Sequence, residues 1–399
     1  MTSVTVLHAC PIWLPQTQTW IHSQVAELQR LGMHVHVACE RTENLNQFAV
    51  ANIHCFENES RAKQTWDKGL RKLRLRRHLN YLVEIGEKTG ATIVHSHFGN
   101  IGWANLAAVR KLCAKHVVTF YGFDVNKLPT LFPRWRKRYL QLFEEADLFL
   151  CEGAHMAHCI VELGCPEHKV KVQHLGVNVD RFEFKPRQWH PDEPIRVLIA
   201  ASFSEKKGIT YAVEALGQLR KSIPIELTII GDARPDAVSQ QEKVKILRTL
   251  EIAGLRPYTR LLGYQPHSVM LQESYAHHIF LHPSVTAADG DTEGGAPVSI
   301  IEMLATGMPV VSTRHCDIPE VMGESLSHLL GPERDADSLA NIIRTLIGNL
   351  ESWQGVAARA RERVLTEYDL RIQTRRLAQH YARIDSPALI QERQEKTEK

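Results

Sequence analysis

The stretch from Ser284 to Val311 holds the densest set of residues able to carry chemistry. An apolar run ends at Ser284, a glycine- and acid-rich loop follows, and the pattern then predicts a helix from about Val298 to Gly307, stopped by Pro309. The N–H groups at that helix start, with the macrodipole behind them, make an anion site. Gly294 and Gly295 allow backbone to approach a ligand closely, so Gly294, Gly295, Ala296, Pro297 and Val298 are candidate anion-binding residues. Glu302 lies one turn into the helix, within reach of ribose hydroxyls. The second element, Ala200–Leu216, runs from a strand end through Lys206 and Lys207 to Gly208 and a helix, a position suited to phosphate contact. Near the other end of the chain, Ile93–Gly99 closes a strand with His95 and His97 on one face. No Asp, Glu or Cys stands at a spacing that would complete a metal site with them, and no metal is expected.

Such residues need a scaffold that brings strand ends together. Short β-branched runs alternate with longer amphipathic stretches along the chain. Strands are expected at Val4–His8, Met33–Cys39, Thr92–His95, His116–Phe120, Asp147–Cys151 and Val170–Leu175, and again at Ile195–Ser202, Ile225–Gly231, Thr259–Tyr264, Ile279–Ser284 and Pro309–Thr313. Helices are expected between them, at about 16–31, 61–89, 101–113, 134–145 and 154–163, and later at 336–349, 352–365 and 368–383. That alternation implies parallel sheets with helices on both faces. At 399 residues the chain exceeds one hydrophobic core, and three prolines between Lys185 and Pro194 suggest a connector. The fold class is therefore α/β: two Rossmann-like domains facing across a cleft. The expected division is 1–185, a linker at 186–194, a second domain at 195–367, and a C-terminal helix and polar tail at 368–399 crossing back to the first domain.

Several of these segments resemble the family-4 retaining glycosyltransferases of the GT-B fold. Glu293 through Val311 is similar to that family's pair of glutamates followed by a small helix and Gly-x-Pro-Val-Val. Here eight residues separate Glu293 from Glu302 where the family has seven, so the loop holds one extra residue, Gly295 or Ala296. Glu302 is in register; Glu293 matches if the insertion bulges outward. Ala200–Leu216 resembles the donor-phosphate segment, with Lys207 at the family's lysine and Ser202 where it carries arginine; Lys206 or Arg234 are the available substitutes. Ile93–Gly99 resembles the N-domain histidine segment. Thr119–Asp124 resembles Thr-x-His-Gly-x-Asp with Tyr121 replacing histidine, and Gly176–Phe182 and His315–Glu320 match further family segments. The opening from Cys10 to Ile21 resembles the proline-containing loop of the exopolysaccharide (colanic-acid-type) branch.

The resemblance implies metal-independent transfer of a sugar from a nucleoside diphosphate, with retention, to a glycan or lipid-linked acceptor. Catalytic roles fall on His97, Lys207 and Glu293. Donor binding falls on Ser202, Lys207, Gly294, Gly295, Ala296, Pro297, Val298 and Glu302, and the acceptor side on Trp13, Thr19, His97, Tyr121 and Asp124. His97 would orient an acceptor hydroxyl or the donor's sugar. No cofactor beyond the nucleotide-sugar is implied. The alternative is a degenerate relative that binds or assembles without turnover.

Composition bounds the rest. A 44% apolar, 23% charged chain of net charge +3 is ordinary globular protein, and eight scattered cysteines without a C-x-x-C pair suggest neither a disulfide framework nor zinc. No signal core or membrane-length apolar run is present, so a cytoplasmic location is expected. A nicotinamide-dependent fold lacks its G-x-G-x-x-G, and a P-loop is absent. Two basic stretches, 71–78 and 133–139, carry aromatic neighbours and are candidates for peripheral contact with the inner face of a membrane; nucleic acid is not expected.

Overall fold

The structure is a computed structural model that describes residues 4–15 and 19–385. Residues 16–18 of the opening loop and the tail from 386 lie outside the described residues. The chain divides into two compact units, 1–176 with 370–399, and 177–369.

The first unit is built on seven parallel strands: β1 (Thr5–Ala9), β2 (His34–Cys39), β3 (Ile53–Cys55), β4 (Ile93–His97), β5 (Lys115–Thr119), β6 (Leu148–Cys151) and β7 (Val170–Val172), in the order β3-β2-β1-β4-β5-β6-β7. Order reverses at β1, the mark of a doubly wound sheet, which places ligand sites at the carboxyl ends of the central strands. β1 and β4 are buried along their whole length, because helices cover both faces. Val6, Ile93 and Val117 pack with Ile21, Val25 and Leu28 of the Thr19–Arg30 helix and with Leu377 and Tyr381 of the Leu370–Asp385 helix. On the other face Leu7 and Val94 meet Leu82, Val83 and Val109.

The second unit carries six parallel strands: β8 (Ile195–Ala200), β9 (Ile225–Ile230), β10 (Thr259–Gly263), β11 (Ile279–His282), β12 (Val310–Thr313) and β13 (Leu330–Gly331), ordered β10-β9-β8-β11-β12-β13. A single apolar cluster, from Val177 to Tyr368, fills it. Two of its helices start where an aspartate satisfies a first-turn amide: Asp236 accepts from Ser239 N–H at 2.9 Å and Asp335 from Ser338 N–H at 2.8 Å.

Three expectations need correction. The 186–194 segment is not a linker. Arg187 is buried and donates to the carbonyls of Ser274 (2.9 Å), His277 (3.1 Å) and Thr306 (3.2 Å), while Trp189 lies in the second unit's core. Its prolines stiffen a strap whose side chains are anchored; the chain instead changes unit at Gly176–Val177 and at Asp369–Leu370. The expected helix at 61–89 is two, Arg61–Lys72 and Asn80–Thr89. Buried Asp67 gathers the Arg71 guanidinium (2.7 Å), the Arg76 guanidinium and the Asn80 N–H (3.2 Å), which folds the chain back on itself. The short strand β3 had no counterpart among the expected strands; at three residues its alternation is too brief to register.

Candidate functional site

In the second unit, neighbouring strands β8 and β11 deliver their loops to one place. The turn Glu205–Lys207 closes on Gly208 at φ +61°, where a Cβ would sit 1.8 Å from the Pro283 carbonyl oxygen. Only glycine allows that approach, and it holds the lysine loop against the acidic one. Lys207 Nζ meets Glu293 Oε2 at 2.8 Å, and Lys206 Nζ donates to the Thr292 carbonyl (2.8 Å) and lies 3.3 Å from Asp291 Oδ1. Burial alone would raise the Glu293 carboxyl, but the ammonium groups of Lys207 and Lys206 outweigh it and hold the group well below the usual carboxylate range.

Glu293 is fixed by two further contacts. Ser284 Oγ donates to its Oε1 at 2.9 Å, so the same hydroxyl accepts from His282 Nδ1 at 3.1 Å. Burial, with Lys207 adding to it, pushes the His282 imidazole down to about 4, and its Nε2 has no partner among the described residues. The Glu293 N–H donates to His315 Nε2 (3.1 Å), which leaves the proton on Nδ1 to reach Glu333 Oε1 at 2.6 Å. Glu333 also accepts from the Thr286 N–H at 2.8 Å.

The other donor-side candidates follow in sequence. Gly294 takes φ +80° and donates to Thr292 Oγ1 at 3.1 Å; Gly295 accepts from the Asp317 N–H at 3.4 Å; Ala296 is buried. Pro297 precedes the Val298–Thr306 helix, whose start carries no side-chain cap, and Gly307 ends it at φ +81°. An anion at that start would meet uncapped amides. Glu302 faces a partner that the sequence did not signal: His267 Nε2, 3.0 Å from its Oε1, whose hydrogen bond outweighs burial and raises the imidazole's affinity for a proton. Ser202 is half-buried on the loop after β8, and Arg234 is engaged with Asp236 at 3.5 Å.

The strand ends of the first unit hold a different arrangement. His97 Nδ1 lies 2.7 Å from Tyr121 Oη and its Nε2 lies 2.9 Å from His8 Nδ1. His95 is spanned by Tyr381 Oη (2.6 Å) and Thr119 Oγ1 (2.7 Å). His8, unremarked in the sequence, completes three buried imidazoles whose ligand atoms lie within 4.8 Å of one another. Burial pushes all three down, His97 to about 3, and their ring nitrogens are spent on hydroxyls and on each other except His8 Nε2. The three rings form a buried hydrogen-bonded network.

Asp124 is wholly buried and accepts from the Gly99 N–H (2.6 Å) and the Tyr121 N–H (2.8 Å), so it anchors the start of the Gly99–Leu112 helix. Burial outweighs those bonds and pushes its carboxyl up to about 7. Trp13 does not face an acceptor: it is wholly buried, with Nε1 on the Phe48 carbonyl at 3.0 Å, because its indole fills the core under the opening loop. Thr19 begins the first helix, where its carbonyl accepts from Ser23 Oγ at 3.3 Å.

Residues 17–181 match Glycosyltransferase Family 4, and residues 194–349 match Glycosyl transferases group 1. The chain is 34% identical over 297 residues to the amylovoran biosynthesis glycosyltransferase AmsK of Erwinia amylovora, covering 74% of this chain and 70% of that protein. The chain belongs to the family-4 glycosyltransferases. This glycosyltransferase is also 34% identical over 296 residues to the putative colanic acid biosynthesis glycosyltransferase WcaL of Escherichia coli, covering 72% and 70% of the two chains. Solved structures share the GT-B fold. A Rickettsia africae glycosyltransferase superposes with TM-score 0.75 at 17% identity, over 96% of this chain and 99% of that one. Anabaena Alr3699/HepE, solved in complex with UDP, gives 0.75 at 17% identity, over 95% and 100%.

Proposed function

We propose that this glycosyltransferase moves a sugar from a nucleoside-diphosphate donor to a glycan or lipid-linked glycan during exopolysaccharide synthesis, with retention of configuration and without a metal ion. The observation that carries the reading is the convergence of Lys206, Lys207 and Glu293 beside the uncapped start of the Val298–Thr306 helix. Relatives named for amylovoran and colanic acid synthesis support the polysaccharide context, and the UDP bound by Alr3699/HepE supports a nucleotide donor.

The barrier in such a transfer is the charge that builds on the departing diphosphate. Lys207 and the helix amides are the groups suited to meet it; a preorganised donor of this kind is typically worth about 3–4 kcal/mol. Glu293 holds Lys207 in place before the donor arrives, so the diphosphate takes over an ammonium already oriented and desolvated. Glu302 is suited to ribose hydroxyls, with His267 orienting it. No cofactor takes part in this reading.

The second reading, binding without turnover, is favoured by Ser202 at the expected arginine and by the saturation of Lys207 by Glu293. A melting-temperature titration with UDP, GDP and their sugar conjugates, followed by product analysis, separates the two. A ligand that binds the folded state raises the melting temperature by an amount set by its affinity. Stabilisation with sugar release supports transfer, stabilisation without release supports the second reading, and no shift with any nucleotide overturns the donor site.

A further inference from the structure

The two basic stretches of the first unit are 55 or more residues apart in sequence, yet the fold brings part of each to one surface. The first stretch splits by role. Arg71 and Arg76 turn inward onto Glu40 and Asp67, whereas Arg74 and Arg77 are exposed. In the second, Tyr139 is buried, Arg134 is exposed and Arg138 is half-buried over two indoles. Trp103 is the meeting point: the Arg77 guanidinium stands 4.2 Å from its ring centroid and that of Arg138 4.4 Å, while Trp135 meets it edge-on at 5.5 Å. Among the described residues none of these four arginines forms an ion pair with a carboxylate. Glu145, the nearby acid on the Arg134–Glu145 helix, is taken by Arg110 and Gln141. The four cations repel one another enough that Arg134, Arg77 and Arg74 add to burial in lowering the affinity of Arg138 for its proton.

Apolar side chains surround the cluster and stand in water. Leu73 and Leu75, on either side of Arg74, are 70% and 73% exposed, and Leu131 and Phe132, just before Arg134, are 48% and 46% exposed. Unpaired guanidinium groups interleaved with exposed leucine and phenylalanine, with Trp103 and Trp135 beneath, match a lipid interface: cations for phosphate headgroups and apolar tips for the acyl boundary. A nucleic acid would use the charge but leave the leucines without a partner, and a folded protein interface is depleted of such a like-charge cluster at its centre.

We propose that Arg74, Arg77, Arg134 and Arg138, with Leu73, Leu75 and Phe132, form a docking surface for an anionic phospholipid bilayer. The surface is tied to the candidate acceptor site, because Trp103 stands one turn beyond Gly99, whose N–H is held by Asp124. Docking there brings the His97–Tyr121 strand ends to the membrane plane where a lipid-linked acceptor resides. The proposal rests on the lipid-linked acceptor of the proposed function only for its purpose, and vesicle binding can be read with no substrate present.

The test is co-sedimentation of the full chain with vesicles of phosphatidylglycerol in phosphatidylcholine, against phosphatidylcholine alone. Binding to the anionic vesicles only is expected, with release as salt rises and the Debye length shrinks from about 10 Å at 0.1 M to about 3 Å at 1 M. Replacing all four arginines with glutamine should lower partitioning several hundredfold, since each cation near the surface contributes roughly fivefold and the factors multiply. Because Arg138 also packs on two indoles, a second variant, R74E/R134E, tests the two most solvated charges alone. Its melting temperature and its turnover on a short soluble acceptor should match wild type. Equal binding to both vesicle types, no binding to either, or wild-type partitioning by R74E/R134E would overturn the proposal. So would capture by a single-stranded oligonucleotide with no vesicle binding. Vesicle binding in a protein that transfers no sugar would leave the docking surface standing and sink the catalytic reading instead.

Discussion

At the strand ends of the second unit the lysines and acids are paired ions at short range: Lys207 with Glu293 and Lys206 with Asp291. At the strand ends of the first unit they are neutral rings and hydroxyls, with His8, His95 and His97 linked to Tyr121, Thr119 and Tyr381. Burying an ion costs several kcal/mol unless its partner is in place, whereas a neutral hydrogen-bonded ring is buried at far lower cost. The difference suits the chemistry proposed for each side. A diphosphate must be met by fixed charge, while a hydroxyl acceptor needs only an oriented donor or acceptor atom. The comparison also teaches that exposure and charge do not locate a site by themselves, since both sets are largely withdrawn from solvent.

The largest test of the contrast is Lys207→Ala. It should cut transfer roughly 100- to 1,000-fold. It should also lower stability, by up to about 3–5 kcal/mol, because buried Glu293 loses its ion-pair partner and keeps only the more distant Lys206 charge. Adding Glu293→Gln should restore much of the stability and none of the rate; urea unfolding and initial-rate assays read the two separately. A Lys207→Ala protein as stable as wild type would break the picture of a mutually dependent ion pair.

Next in size is Asp124→Ala in the first unit, which strands the buried N–H groups of Gly99 and Tyr121 at about 1–3 kcal/mol each. Urea midpoints should show the loss. If the midpoint stays put, Asp124 is not the anchor of that helix.

Acid should then separate the units. Histidines with lowered folded values contribute stability that is complete above their ordinary value and lost as pH falls from it towards the folded value. Among the described residues with a resolved shift, the first unit holds eight of them, at positions 8, 36, 54, 78, 95, 97, 116 and 380, and the second holds three, at 277, 278 and 282. Glu293, held low, begins to lose stability only as pH falls below its ordinary 4.5. Asp124 works the other way: its contribution is complete below 3.8 and lost as pH rises to about 7. Between pH 6.5 and 4.5 the first unit should therefore loosen before the second, seen as faster amide exchange in β1 and β4 than in β8 and β11. Equal loosening would mean the histidine burial is not maintained in solution.

The smallest effect belongs to Glu302→Gln, which removes the hydrogen bond and charge that raise His267. The imidazole titration followed by NMR should move down towards the ordinary histidine value, with the fold unchanged. No movement would detach His267 from Glu302 and leave the ribose role of Glu302 unsupported.

Much of the alternating architecture was legible because its signals are local. Apolar strand runs, Gly208 before a helix, and Gly307 with Pro309 after one each act within a few residues. The two loops that carry the candidates Lys207, Gly294, Pro297 and Glu302 were legible for the same reason, since each is one continuous stretch. Arg187 and Trp189 were misread because three prolines look like a connector, and only the distant carbonyls of Ser274 and Thr306 turn that segment into a strap. Trp13 was misread because an aromatic in a loop carries no sign of which way it faces.

Residue types and short spacing thus set where helices start and stop, and which loops are rich in glycine and charge. Partner choice is another matter. His8 meets His97 across 89 residues, His95 meets Tyr381 across 286, and Lys207 meets Glu293 across 86. Hydrogen bonds and ion pairs act over about 3 Å, so they depend on how the parallel strands are ordered and how their loops meet. That order comes from burying both faces of each sheet at once, a property of the folded whole that no window of sequence contains.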